Sequence, residues 1–350
     1  MHRAISFNSY YLFGDEPMMF DIPVEIDVCR FKNTNMGYVD FVEWKKEHPF
    51  MGAYDDGKST PNSLHFDNPD AFKVYMTTTE PVTSPNREPI DMVLQWKHAY
   101  DLILTTDVEI LDKCKNAVMF PYGSTWLNKN LENINHPDGL GSYDISLENL
   151  HDNKRFEISF LCTFHSRDLE GYNKRKDAFV KRLLIKNPTL FYSSTRYPVR
   201  MDIKSMEMYR QMNFQRDPMS WSADDAMFLL PKDDKAKLFS SQFHISIEST
   251  SVDNYFSEKL IDALITKTVP IYWGCPNIGD FFDIRGMIIV DSESDIIELC
   301  NQITPETYEQ MKPYIDENYE RAKEYARPLR DRVKEEIEKK IKESNVKQNS

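Results

Sequence analysis

Residues 243–283 read FHISIESTSVDNYFSEKLIDALITKTVPIYWGCPNIGDFFD, a succession of strand, loop, helix, strand and loop. Phe243, Ile245 and Ile247 alternate with His244, Ser246 and Glu248, the period of a pleated strand. Residues 249–254 are polar and turn-like. Leu260, Ile261, Ala263, Leu264 and Ile265 recur at helical spacing, so one face of a helix is apolar. Residues 269–273, VPIYW, form a second short apolar run in which Pro270 is tolerated near the start. Gly274 to Asn277 close it as a loop. Strands joined through a helix pair in parallel by a right-handed crossover. Ligands of such sheets sit beyond the carboxyl ends of the strands. Those ends carry Glu248 and Gly274, with Tyr255, Glu258 and Lys259 at the helix start.

Lys259 is the oddity. A cation in a first helical turn opposes the helix dipole by about a few tenths of a kcal/mol. Two readings follow. Either a bound anion at that helix end, where free N–H groups point, reverses the sign, or Lys259 pairs with Glu258 or Glu248 in a solvated loop.

The wording of the stretch resembles the donor-binding motif of the family 10 fucosyltransferases. The matching residues are Glu248-Ser249-Thr250, Asp253-Asn254-Tyr255, Ser257-Glu258-Lys259-Leu260, Val269-Pro270-Ile271-Tyr272-Trp273-Gly274 and Pro276-Asn277-Ile278. Two departures touch the nucleotide-sugar contacts. Ser249 stands where the family has Asn, and Asn254 intrudes between Asp253 and Tyr255. The resemblance implies an α/β, GT-B architecture: two Rossmann-like doubly wound domains facing across a cleft, here with charged C-terminal helices. It implies inverting transfer of fucose from GDP-fucose to a hydroxyl of an acceptor glycan, with no bound metal. In the family's pattern Lys259 and a basic residue after the first strand of the donor domain, Arg175 or the adjacent Lys174, neutralise the pyrophosphate. Glu248 and Glu258 accept from ribose or sugar hydroxyls, and Tyr255 contacts the donor. The strand at 72–76 runs into Glu80-Pro81, and the resemblance makes Glu80 the general base, a carboxylate that takes the proton of the attacking hydroxyl. The residues alone also allow Glu80 to be a surface cap on the following turn. A different nucleotide sugar on the same architecture, or a non-catalytic glycan- or nucleotide-binding protein, are the alternatives.

At 350 residues the chain suits two domains better than one. The formal charge of −13 argues against non-specific nucleic-acid binding, which requires a basic face. The five cysteines show no Cys-x-x-Cys spacing, so neither a disulfide frame nor a zinc site is expected, and a reducing compartment is. Neither a signal peptide nor a membrane span is visible, as expected of a cytoplasmic enzyme of bacterial or viral type or of a trimmed chain. Asp55-Asp56, Asp224-Asp225 and Asp233-Asp234 read as solvated turns.

Outside the central stretch, Leu102, Ile103 and Leu104 read as a buried strand. Asp107 is the expected N-cap of a helix over 108–115, followed by a strand and loop over 117–126. Tyr122, Gly123 and Trp126 at its end either line an acceptor cleft or pack. Residues 128–150 are rich in Asn, Gly, Asp and Pro and read as a linker. The expected domains are therefore 1–150 for acceptor binding, 151–302 for the nucleotide-sugar donor and 303–350 as a helical extension. A strand covers 154–164. A helix opens at Arg175 with Phe179, Leu183 and Leu184 on its apolar face. The last helices carry opposite charges three and four residues apart, as solvent-facing helices do, and Pro328 breaks or kinks them.

Overall fold

The computed structural model describes residues 2–3, 5–7, 18–30, 70–78, 88–127, 147–162, 169–193, 235–291 and 295–348. Contacts gather the chain into two units. The first is Met1–Tyr122 with Asp253–Tyr255 and Pro328–Ser350, and the second is Gly123–Val252 with Phe256–Arg327.

The first unit holds β1 (His2–Arg3), β2 (Ile5–Phe7), β3 (Met19–Phe20), β4 (Val24–Arg30), β5 (Phe72–Thr78), α1 (Glu88–Trp96), β6 (Leu102–Thr105), α2 (Val108–Lys113) and β7 (Ala117–Met119). Strands β2-β4-β5-β6-β7 form a parallel sheet in that order, and β1 with β3 makes a small antiparallel ribbon. The pleat sorts its side chains. Val74 and Met76 join Val24, Ile26, Leu102 and Leu104 on one face. Tyr75 and Ile103 lie on the other, against Val93 of α1 and Ile110 of α2. Asp107 caps α2 as expected, its Oδ1 accepting from the Ile110 N–H at 2.9 Å. Asn254 sits at φ 64°, a left-handed conformation that Asn tolerates. Its Nδ2 donates to the Thr106 carbonyl at 3.2 Å, which ties 253–255 to this unit.

The second unit holds α3 (Leu147–Asp152), β8 (Arg155–Cys162), α4 (Glu170–Val180), β9 (Thr189–Ser193), β10 (Ser241–Ile247), α5 (Glu258–Ile265), β11 (Val269–Trp273), β12 (Ile288–Ile289), α6 (Ile296–Gln302) and α7 (Pro305–Ala326). Its sheet is parallel, in the order β12-β11-β10-β8-β9. The order reverses between β8 and β10: the chain steps outward to β9, then returns to the other side of β8. Ligands of open α/β sheets sit at such a switch point, beyond the carboxyl ends of the strands. Phe243, Ile245 and Ile247 face Phe179 of α4 and Tyr308 and Ile315 of α7. On the opposite face Tyr272 packs with Leu260, Ile261 and Leu264 of α5. Every residue of α5 except Lys259 is buried.

Pro328 does break the last helices. Arg327 is extended (φ −64°, ψ 151°), and α8 (Leu329–Gln348) starts immediately after it. The expected extension over 303–350 is therefore two separate pieces. Tyr308 and Ile315 of α7 enter the second core. Leu329, Val333 and Ile337 of α8 enter the first, on the sheet face opposite α1 and α2. Three apolar residues at i, i+4 and i+8 suffice to dock an otherwise charged helix. Arg332 adds a hydrogen bond to the Pro121 carbonyl at 2.8 Å. The division also falls at Tyr122 rather than near 150, because 123–127 are fastened to the second unit. Helix α4 begins at Glu170, five residues before Arg175. Leu183 and Leu184 are not on its apolar face. The helix tightens to a 3₁₀ turn over Lys181–Leu184, the phase shifts, and both leucines are more than half exposed.

The fastening of 123–127 runs through Asp262, wholly buried on α5. Its Oδ1 accepts from the Thr125 hydroxyl at 2.7 Å and the Trp126 N–H at 3.0 Å, and its Oδ2 meets Lys235 Nζ at 2.5 Å. Trp126 lies beneath Lys235, which stands 5.1 Å from the centre of its ring. Removing one partner of a buried ion pair leaves the other uncompensated, so Asp262→Ala is expected to cost roughly 3–5 kcal/mol. Adding Lys235→Met should recover part of that loss. Urea unfolding of both variants measures it, and a loss within about 0.5 kcal/mol, typical of surface substitutions, would refute the ion pair.

His244 is buried in the same unit, its Nδ1 2.8 Å from the Ser159 hydroxyl and its ring against Phe239. Burial, with the Lys235 and Lys154 charges, lowers its pKa from 6.5 to about 3. The unfolded chain binds a proton there below pH 6.5 and the folded chain does not, so this histidine's contribution is intact above 6.5 and falls with pH towards 3. The slope approaches ~1.4 kcal/mol per pH unit. His244→Asn should flatten the dependence of unfolding free energy between pH 6.5 and 5, and equal slopes in parent and variant would refute the assignment.

Candidate functional site

The switch point lies between β8 and β10, and α4 and α5 approach it from the two neighbouring crossovers. Gly171 lets α4 come close: its N–H donates to the Ser249 carbonyl at 3.1 Å, and a Cβ there would lie 1.8 Å from the Glu248 carbonyl oxygen. One turn later Arg175 is buried. Its Nε donates to the Ile247 carbonyl at 2.8 Å and a terminal nitrogen to the Ser249 hydroxyl at 3.3 Å, with the Tyr172 ring below. This guanidinium thus secures the carboxyl end of β10. Lys174, more exposed, stands 5.3 Å from the centre of the Trp273 ring and 3.6 Å from Glu170.

Glu248 follows β10 directly and is fully buried. Its Oε1 accepts the Ser257 N–H at 2.8 Å and its Oε2 the Ser257 hydroxyl at 2.7 Å. Ser257 is the N-cap of α5 and accepts from the Lys259 N–H at 3.4 Å. Lys259 Nζ lies 3.1 Å from Ser257 Oγ, 3.1 Å from Glu258 Oε1 and 3.8 Å from Glu248 Oε2. The Lys259 carbonyl accepts from Ser246 Oγ at 2.9 Å. Directly after β11, Gly274 leaves room for Glu248, since a Cβ at 274 would meet Glu248 Cγ at 2.5 Å.

The two carboxylates feel different fields. Burial pushes Glu248 up, against the pull of Lys259 and the Ser257 hydrogen bonds. Burial also opposes ionisation of Glu258, yet Lys259 and Lys235 together bring it down to about 2. Glu258 is therefore a fixed anion and a hydrogen-bond acceptor at neutral pH. Burial, then the Glu248 charge, raises the Tyr272 hydroxyl well above its ordinary value. That oxygen accepts from the Cys275 N–H at 3.0 Å.

Of the residues expected from the sequence, Glu248, Glu258 and Lys259 converge, and Arg175 grips the backbone beside them. Lys259 pairs with Glu258, but in the first turn of α5 with Glu258 buried rather than in a solvated loop. Tyr255 is buried but groups with the first unit. Glu80 lies outside the described residues. Sequence reasoning missed Ser257 and Ser246. Ser257 carries an N-cap signature, a Ser before an acidic first turn, which points to a cap but not to the carboxylate behind it. Among the described residues, no three His, Cys, Asp or Glu side chains gather as a metal site, and no helix is long and apolar enough to cross a membrane.

No protein-family model matches the chain. An α-(1,3)-fucosyltransferase of Helicobacter pylori is 30% identical over 79 residues, 23% of this chain and 16% of that protein. An α-(1,4)-fucosyltransferase of Arabidopsis thaliana is 23% identical over 229 residues, 65% of this chain and 50% of that protein. The chain thus spans half or less of the length of these curated relatives. Similar solved structures include an α1,3-fucosyltransferase with GDP-fucose, with a TM-score of 0.39, 17% identity and coverage of 87% of this chain and 86% of that one. TarM has a TM-score of 0.48 and 11% identity, covering 90% of this chain and 54% of that one. By sequence, the chain resembles the α-(1,3)- and α-(1,4)-fucosyltransferases.

Proposed function

We propose that the chain is an inverting glycosyltransferase that moves fucose from GDP-fucose to a hydroxyl of an acceptor glycan. The observation that carries this reading is Lys259: an ammonium in the first turn of α5, beyond the carboxyl end of β10, beside the ionised Glu258. A diphosphate arriving there meets the positive end of a helix and an ammonium. Glu258, already anionic, accepts from ribose hydroxyls. Arg175 keeps the β10 end in place, and its charge adds to the field at the phosphates. Tyr255 contacts the donor.

The acceptor oxygen bonds to the anomeric carbon as the bond from that carbon to the phosphate oxygen breaks. The electron pair leaves with GDP, and Glu80 takes the acceptor's proton. Lys259 and the helix end stabilise the departing charge, so no divalent metal is required. Ser249 in place of the family's Asn supports a second reading, a different nucleotide sugar on the same site.

Lys259→Ala should weaken GDP binding roughly 10–100-fold, the worth of a hydrogen bond to a charged group. Titration calorimetry measures this; unchanged affinity would place the diphosphate elsewhere. Glu80→Gln should retain GDP binding and lose transfer. Chelation of divalent metals should leave the rate of transfer from GDP-fucose unaltered. Turnover of a UDP-linked sugar but not GDP-fucose would favour the second reading.

A further inference from the structure

We propose that Glu248 and Ser257 are positioning residues: through the Ser257 hydroxyl they set the Lys259 ammonium where a nucleotide diphosphate needs it. The inference rests on the function proposed above, and it gives Glu248 a different task from the sugar contact its place in the motif implied.

A buried carboxylate with no outlet to a ligand needs another reason to be there. Glu248 has no exposed surface, and each of its oxygens already takes a bond from Ser257, at 2.8 and 2.7 Å. An N-cap serine needs no such partner. It caps with its own lone pairs, whereas an acid in the core carries a desolvation cost. What Glu248 adds is direction. A hydroxyl has one proton and two lone pairs. With the proton held by Glu248 Oε2, Ser257 Oγ can only accept, and what it accepts from is Lys259: the backbone N–H at 3.4 Å and Nζ at 3.1 Å. The pair therefore turns an ambivalent hydroxyl into a fixed acceptor for the ammonium.

The surroundings are shaped for this. Ser246, two residues before Glu248 on β10, pins the Lys259 carbonyl. Gly274 gives up its side chain to the space that the Glu248 methylenes fill. The Lys259 side chain is about a quarter exposed, so the head group faces both its holders and solvent. A lysine has a four-carbon stem with high rotamer entropy, and holding it beforehand removes part of the cost of ordering it when an anion binds.

The test is a double-mutant cycle on the full chain, with GDP as probe, read by titration calorimetry and paired with thermal unfolding. Ser257→Ala should weaken GDP binding about tenfold, and Ser257→Thr, which keeps the hydroxyl, should restore it. In a Lys259→Ala background, Ser257→Ala should cause no further loss, because its effect runs through the lysine. Glu248→Gln, if it folds, should behave as Ser257→Ala does. If the losses from Ser257→Ala and Lys259→Ala simply add, Ser257 acts on the fold alone and the positioning role is overturned. If Lys259→Ala itself leaves GDP affinity unchanged, it is the proposed function that fails.

Discussion

A carboxylate with no access to water stands at the end of β10, and the start of α5 is built around it. Glu248 can persist as an ion only if hydrogen bonds replace its hydration. Ser257 supplies two of them, one from the backbone and one from the side chain. This fixes both the distance and the angle at which α5 leaves its loop. The cap sets the first turn, the first turn sets Lys259 and Glu258, and the remaining residues of the helix fall into the core. The loop from β10 to α5 is thus constrained at both ends by the same side chain.

The second polar device on α5 lies one turn further on. Asp262 is as buried as Glu248, but its partners are Thr125, the Trp126 N–H and Lys235. The two acids share a consequence. Lys235 pairs with Asp262 and also pulls Glu258 towards ionisation, together with Lys259. The charge state at the helix mouth therefore depends on a lysine with no place in the motif. Hydrophobic residues alone would pack α5 as firmly, since well-packed apolar replacements of buried ion pairs are often neutral or better. What the buried polar groups add is a single register and a defined charge at one end.

How much of this could be read in the chain follows from period and range. Strands β10 and β11 and helix α5 were legible because alternation and the 3.6-residue repeat are local signals, and the parallel pairing follows from the crossover. The convergence of Glu248, Glu258 and Lys259 was legible for the same reason: a short loop and one helical turn separate them. The direction of Glu248 was not. Nothing in Glu-Ser-Thr says whether the carboxylate turns outward or back onto the cap. Leu183 and Leu184 were misplaced because a change from α to 3₁₀ winding alters phase without altering composition. The return of α8 to the first unit was hidden by its charged surface, since three buried apolar residues among so many Lys and Glu make a weak stripe. Asp262 did carry a signal. An acid inside the run Leu260-Ile261-Asp262-Ala263-Leu264-Ile265 must either break the apolar face or bring a cation with it, and Lys235 is that cation.

This distinction bears on how the likeness to fucosyltransferases should be weighed. Motif residues that recur between proteins need not all touch the ligand. Here Gly274 and Ser257 are explained by what they admit or hold: a buried carboxylate and an ammonium. Arg175, expected at the phosphates, spends two of its five donors on the strand end. A basic residue so engaged contributes its charge to the site but not its reach. Lys259 differs in kind. Its backbone is pinned, its head group is held by side chains at a partly exposed helix end, and those contacts are ones an incoming diphosphate can compete for. On the proposed function, the chemistry that distinguishes a binding site from a well-satisfied core is concentrated in this one side chain, and the polar residues behind it would determine where that side chain waits.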